Sequence, residues 1–224
     1  MNYAAQRRNM VESQLRPNRV TDERILEAMG ALPREAFVPK AQKGVAYVDE
    51  ALPIGGGRYL IEPMVIARLM QEAMVKPTDV ALHIGCGTGY AVAVMARLAS
   101  TVVAVESAPT LAKQASQTLA DLGIDTVAII EGAMTEGYPK QAPYDIILFD
   151  GAVAEIPNAI ADQLAEGGRL VAVVEGQPKS GAIGRWPGKG VLVTRFGGVL
   201  SRRELFDAGT PVLPGFERKA AFVF

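Results

Sequence analysis

Three features of the sequence predict an α/β fold, doubly wound about a mostly parallel sheet. First, several segments are near-continuous apolar runs, among them Val80-Ala81-Leu82-His83-Ile84, Ile146-Ile147-Leu148-Phe149 and Leu170-Val171-Ala172-Val173-Val174. Strands of that kind belong to a sheet covered on both faces. Second, these runs alternate with segments of helical periodicity, the order that builds βαβ units. Third, Gly85-Cys86-Gly87-Thr88-Gly89 places glycine at alternate positions between an apolar run and a helix-forming stretch. A turn that sharp needs unusual φ, and bare backbone lets a ligand approach closely.

At 224 residues the chain can bury a sizeable core and suits one domain better than two equal ones. Residues 1–62 read as an N-terminal extension of helices and loop, and 63–224 as the α/β core. The net charge is −1 with both signs dispersed, so no basic face points to nucleic acid. One Cys and one His exclude a disulfide framework and argue against a dedicated metal site. The opening Met1-Asn2-Tyr3-Ala4-Ala5-Gln6-Arg7-Arg8 leads into a polar helix without a signal-peptide core, and no apolar run is long enough to span a bilayer. A soluble cytoplasmic protein is expected; the sequence leaves its oligomeric state open.

Taken in order, the segment up to about Gly30 is helical: Met10, Leu15, Ile25, Leu26 and Met29 recur at helical spacing, Pro17 breaks the run, and Thr21 or Asp22 caps the second helix. From Leu32 to Gly57 proline and glycine punctuate an ordered irregular segment, anchored by Phe37, Val38, Tyr47, Leu52 and Ile54. Gly55-Gly56-Gly57 is either a lid hinge or a simple loop. Pro63 opens a helix whose buried face carries Ile66, Leu69, Met70 and Ala73. After the glycine turn come a helix from Tyr90 to Ala99 and a strand from Thr101 ending on Glu106. A helix from Leu111 to Leu122 stops at Gly123, and strands follow at Val127–Ile130 and Asp145–Asp150. Ile156–Leu164 reads as helix and Leu170–Val174 as strand. Val191–Phe196 and Ala220–Phe224 read as a late pair separated by Ser201–Phe216.

Glu106 lies about twenty residues beyond the start of the glycine turn, where such folds place a carboxylate against ribose hydroxyls. The Gly-x-Gly-x-Gly spacing suits a nucleoside ligand with no second phosphate. A glycine turn alone also serves packing, and a charge after a strand also serves solvation; both in one βαβ unit favour cofactor binding. The expected site is an open hollow of bare backbone at the rim of the sheet, faced by Glu106. His83 reads as a strand-end residue; facing a cofactor, it would make affinity vary between about pH 5 and 8. Cys86, without a basic neighbour in sequence, reads as a small packed side chain.

The assembled motifs resemble the protein-L-isoaspartate O-methyltransferase family over essentially the whole chain. They are Leu32-Pro33-Arg34-Glu35-Ala36-Phe37-Val38-Pro39, Ala46-Tyr47-Val48-Asp49 with Leu52-Pro53-Ile54-Gly55, Gly85-Cys86-Gly87-Thr88-Gly89-Tyr90, and Gln163-Leu164-Ala165-Glu166-Gly167-Gly168-Arg169-Leu170-Val171. The resemblance implies a Rossmann-like seven-stranded sheet with its last strand antiparallel and S-adenosylmethionine as cofactor. It also implies an isoaspartyl carboxylate in a damaged protein as methyl acceptor, with Gly55 to Pro63 bordering the acceptor. Cofactor contacts are expected at Gly85, Cys86, Gly87, Gly89, Glu106, Ser107, Ala133 and Met134, and catalytic roles at Asp150 and Glu62.

The chain departs from the family pattern in four places. Members usually read Thr-Ile-Ser-Gln-Pro where this chain has Tyr59-Leu60-Ile61-Glu62-Pro63, so Ile61 replaces the hydroxyl associated with catalysis. His83 stands where Glu commonly precedes the glycine motif, and Ala133 where Asp follows Gly. Asp150 is an added carboxylate at a strand end, able to orient an acceptor or the methionine ammonium, or merely to cap the next turn. Three functions follow: isoaspartyl methyltransferase, a methyltransferase with another acceptor, or an inactive binding protein that keeps the fold.

Overall fold

The computed structural model describes residues 2–176 and 187–218. The chain first forms a two-stranded antiparallel hairpin, β1 (Leu52–Gly55) and β2 (Arg58–Leu60). A seven-stranded sheet follows from β3 (Val80–Ile84), β4 (Thr101–Glu106), β5 (Val127–Glu131), β6 (Tyr144–Val153), β7 (Leu164–Val174), β8 (Gly188–Phe196) and β9 (Val199–Ala208). Its order is β5-β4-β3-β6-β7-β8-β9. Strands β3 to β7 are parallel, and β8 is antiparallel to both β7 and β9. The order reverses between β3 and β6, so the carboxyl ends of those strands frame a crevice, the usual ligand position in such sheets.

Helices α1 (Tyr3–Met10), α2 (Glu23–Ala31), α3 (Pro63–Ala73), α4 (Tyr90–Ala96), α5 (Pro109–Asp121) and α6 (Asn158–Ala161) pack around the sheet. Asp22 caps α2 by accepting from the Arg24 N–H at 3.0 Å, and Pro63 opens α3, as predicted. The strands alternate between two cores. Ala81, Val102, Ala104, Ile146, Leu148 and Val171 face α3, α4 and the N-terminal layer, whereas Leu82, Ile84, Val103, Ile147, Phe149 and Leu170 face α6 and the C-terminal segment. Both sets are apolar because both faces are covered, which is why the strands read as continuous runs. The buried Arg169 ties a strand to a helix end: it donates to the Ala73 carbonyl at 3.0 Å and pairs with Asp79 at 2.5 Å.

The structure corrects four sequence readings. The helix expected over 156–164 is only the single turn α6, because Leu164 already pairs with Tyr144 as the first residue of β7. The segment from Ser201, expected to be a connector, lies within β9: Gly197 and Gly198, at φ +57° and +74°, turn the chain tightly back along β8. The antiparallel strand is therefore the penultimate one. The pairing expected for Ala220–Phe224 lies outside the described residues. Finally, the segment 32–57, expected to be ordered and irregular, holds short 3-10 turns, but its end is strand β1, and the three glycines form the bend into β2.

Candidate active site

The glycine turn sits at the carboxyl end of β3. Gly85, Gly87 and Gly89 have φ of +76°, +53° and +97°, left-handed values that a side chain would strain. Glu106, at the end of neighbouring β4, is fully buried and turned inward. Its Oε2 accepts from the Gly87 N–H at 2.8 Å and its Oε1 from the Ala108 N–H at 3.1 Å. The βαβ reading of these residues is borne out in geometry. Charge-assisted bonds to two backbone donors fix the carboxylate at the turn.

The expected openness is not. Strands β1 and β2 lie over the turn with Leu52, Ile54, Arg58 and Leu60 inward and Pro53, Gly55 and Tyr59 outward. Arg58 donates from Nη2 to the Gly85 carbonyl at 2.5 Å, and its Nη1 lies 3.6 Å from Glu106 Oε2 and 3.2 Å from Met134 Sδ. A Cβ built on Gly85 would come within 3.0 Å of Arg58 and of Leu213, and one on Gly87 within 2.7 Å of Ile54 Cδ1. The donors and the carboxylate fit an adenosyl group; the space in front of them is filled by Ile54, Arg58 and Leu213. A ligand enters only when those side chains withdraw.

Leu213 arrives on a C-terminal strap that runs beside the end of β6: the Ala152 N–H donates to the Pro211 carbonyl and the Leu213 N–H to the Ala152 carbonyl, both at 2.8 Å. Gly151 admits Leu213, which lies 2.6 Å from where a Cβ would stand. Glu62, at the N-cap of α3, accepts from Thr210 Oγ1 at 3.0 Å and so joins the hairpin's exit to this strap.

The N-terminal layer is locked onto the site from beneath. Arg34, fully buried, donates to the carbonyls of Ala46 and Ile61 at 2.7 Å each and stacks on the Tyr90 ring. Thr88 Oγ1 donates to the Phe37 carbonyl at 2.5 Å. Ile61 is itself buried in the core, with its carbonyl held by Arg34, and it carries no hydroxyl.

Asp150, at the crevice end of β6, is 3% exposed, and its Oδ1 has no hydrogen-bond partner. Burial raises its pKa from 3.8 to about 7, against the opposing pull of Arg58 and Arg34. The folded chain therefore keeps a proton that the unfolded chain has released between about pH 4 and 7, so stability falls as pH rises through that window and stays lost above it. Asp150→Asn is expected to exceed the native chain in urea-melt stability at pH 8 by on the order of 3 kcal/mol and to match it near pH 4. Equal stability at pH 8 would remove the claim.

His83 is fully buried on the face toward the N-terminal layer, with both ring nitrogens unpartnered. Burial first, and Arg58 second, lower its pKa from 6.5 to about 3, so it stays neutral and belongs to the packing. Its contribution to stability is complete above about pH 6.5 and is lost as pH falls toward 3. The Cys86 thiol is pushed well up by burial and then by Glu106 and Asp150, so it packs and does not attack.

The remaining candidates divide. Met134 is buried against Arg58, in the wall of the hollow. Ser107 and Ala133 are exposed at the rim. A Cβ on Gly89 would meet Ala115 of α5 at 3.3 Å, so the bare position also admits that helix. Sequence reasoning missed Ile54, Arg58 and Leu213. The first two were legible had the alternation from Leu52 to Leu60 been read as a hairpin; Leu213 carried no signal. A cavity of about 1100 Å³ lies elsewhere, among Glu155, Glu175, Lys189, Arg202 and Phe216. That space does not reach the glycine turn, Glu106 or Asp150. Among the described residues no cluster of His, Cys, Asp or Glu could hold a metal, and no helix is long and apolar enough to cross a membrane.

Comparison with known proteins places this geometry among relatives. The family model described as Protein-L-isoaspartate(D-aspartate) O-methyltransferase matches residues 5–183. A protein-L-isoaspartate O-methyltransferase of Methanoculleus marisnigri is 44% identical over 169 residues, 75% of this chain and 77% of that protein. One from Koribacter versatilis is 38% identical over 205 residues, 92% of this chain and 89% of its own. Among solved structures, a protein-L-isoaspartate O-methyltransferase superposes with a TM-score of 0.78 at 27% identity, covering 93% of this chain and 66% of the other. A Plasmodium falciparum structure in complex with S-adenosyl-L-homocysteine gives 0.77 at 20% identity over 95% and 98%, a likeness of fold.

Proposed function

The chain belongs to the protein-L-isoaspartate(D-aspartate) O-methyltransferase family, and from that premise we propose that its crevice between β3 and β6 methylates the carboxylate of isoaspartyl residues in damaged proteins. It is an S-adenosylmethionine-dependent O-methyltransferase. The observation that carries this is the family match over 5–183, which spans the hairpin, the glycine turn and the end of β6 together. Residues 1–62 supply the acceptor side in this reading, and 63–224 the cofactor side. A lone buried thiol suits a reducing compartment, the cytoplasm.

When bound, S-adenosylmethionine supplies a methyl on a cationic sulfur; the sulfur–carbon bond breaks as an oxygen–carbon bond forms in line, and a neutral thioether leaves. The chain's own residues bind and orient. Gly85 and Gly87 present bare backbone, and Glu106, which accepts from the Gly87 N–H, would accept the ribose hydroxyls. Cys86, Ser107, Ala133 and Met134 would help to hold the cofactor. Asp150, when ionised, offers a counter-charge to the ligand's cation. Glu62, through Thr210, holds the acceptor segment against the strap.

An acceptor carboxylate is already ionised at neutral pH, so no strong base is required. Positioning supplies most of the acceleration, since well-oriented groups gain effective molarities of roughly 10⁵ to 10⁸ M. Without a hydroxyl at Ile61 the chain forgoes a donor worth on the order of 3 kcal/mol, about a hundredfold in rate.

The test is methyl transfer from labelled cofactor to an isoaspartyl peptide and to its normal aspartyl twin. Ester on the isoaspartyl peptide alone is expected. Transfer to neither, with S-adenosylhomocysteine still bound, would instead support a different acceptor, the reading that the buried and apolar Ile61 favours.

A further inference from the structure

Resting on the cofactor reading above, we propose that Arg58 sets cofactor affinity by occupying the adenosyl site itself: it is a resident competitor, latched to Glu106 and the Gly85 carbonyl, that a ligand must displace. Four observations carry this. Arg58 takes an inward position in a hairpin whose other inward members, Leu52, Ile54 and Leu60, are apolar. A lone cation in such a pattern breaks the local rule, and such breaks concentrate at functional sites. Its guanidinium engages the two groups that face the hollow, the Gly85 carbonyl at 2.5 Å and Glu106 Oε2 at 3.6 Å. Its side chain is 2% exposed, so nothing else fits there while it stays. The hairpin turns through Gly55, Gly56 and Gly57, all exposed and at positive φ (+97°, +59° and +71°), so no side chain of the bend anchors it in the core.

The charge balance explains why an arginine sits there. Glu106 and Asp150 bring carboxyl groups into a dry rim, and a buried carboxylate without a partner is costly. Arg58 supplies the cation when no ligand does. A sulfonium ligand brings its own positive charge, and its ribose hydroxyls replace the guanidinium at Glu106, so Arg58 leaves for water without stranding an anion. Ligand and latch thus compete for one set of acceptors, and apparent affinity is reduced by the fraction of chains that are unlatched.

The test is calorimetric titration of S-adenosylmethionine, with no methyl acceptor present, into the full native chain and into Arg58→Ala and Arg58→Lys, with association rates by stopped flow. Arg58→Ala is expected to bind about tenfold more tightly, through faster association at an unchanged dissociation rate, and Arg58→Lys to fall between it and the native chain. A side chain that merely held the fold would not tighten binding when removed. Should Arg58→Ala fail to fold, Arg58→Gln keeps the stem, loses the charge and is expected to tighten in the same sense. Equal or weaker binding by the variants overturns the latch and leaves the cofactor reading standing. Binding by neither native nor variant protein at millimolar ligand overturns both.

Discussion

Glu106→Ala is expected to lose about 3–5 kcal/mol of stability and all detectable binding of S-adenosylhomocysteine at millimolar ligand. Glu106 is fully buried and holds three partners: the Gly87 N–H, the Ala108 N–H and the Arg58 guanidinium. Removing it strands a cation that is 2% exposed and frees two backbone donors. Urea melts at constant pH measure the loss, read from the midpoint at unchanged slope. The double variant Arg58→Ala with Glu106→Ala separates the causes. With no orphan charge left, it should recover a kcal/mol or more of the single variant's loss, a coupling typical of directly paired groups. A loss below about 1 kcal/mol in the single variant would mean that Glu106 is better hydrated than its burial implies.

Gly87→Val is the second large effect, and it falls on binding more than on folding. Valine at φ +53° costs about 1–3 kcal/mol of backbone strain, while Ile54, whose Cδ1 lies 2.7 Å from the added Cβ, can rotate aside. A ligand has no such freedom, because the branched side chain fills the approach to the backbone. Folded protein with no measurable affinity for S-adenosylhomocysteine is the expected result, and native affinity would refute the cradle. Gly89→Val makes the contrast: its Cβ is directed at Ala115 of α5, so its damage should appear in stability.

The sheet was legible because buried parallel strands leave apolar runs too long to mistake, and the turn because three glycines at alternate positions have few uses. Glu106 followed from spacing alone. What stayed hidden has a common cause. The hairpin is short, rich in glycine and proline, and carries an arginine at an inward position, so its alternation reads as loop. Strand β9 is exposed along most of its length and lacks the apolar signature that marked the others. Leu213 belongs to an irregular strap whose contacts with Gly85, Gly151 and Ala152 are made at long range. The departures Ile61, Ala133 and Asp150 were visible as residues, but whether the hollow stood open depended on packing that no local pattern records.

The strap has a consequence for how the protein is made. Ribosomes release a chain from its amino end, so the hairpin, the glycine turn and Glu106 all emerge well before Leu213, which lies against Gly85 of the turn and Gly151. A nascent chain therefore exposes an uncovered rim until Leu213 has emerged, and contacts so distant in sequence form slowly. Chains halted before Pro211 should retain the sheet yet present the crevice half-roofed, a difference that limited proteolysis of arrested chains would register.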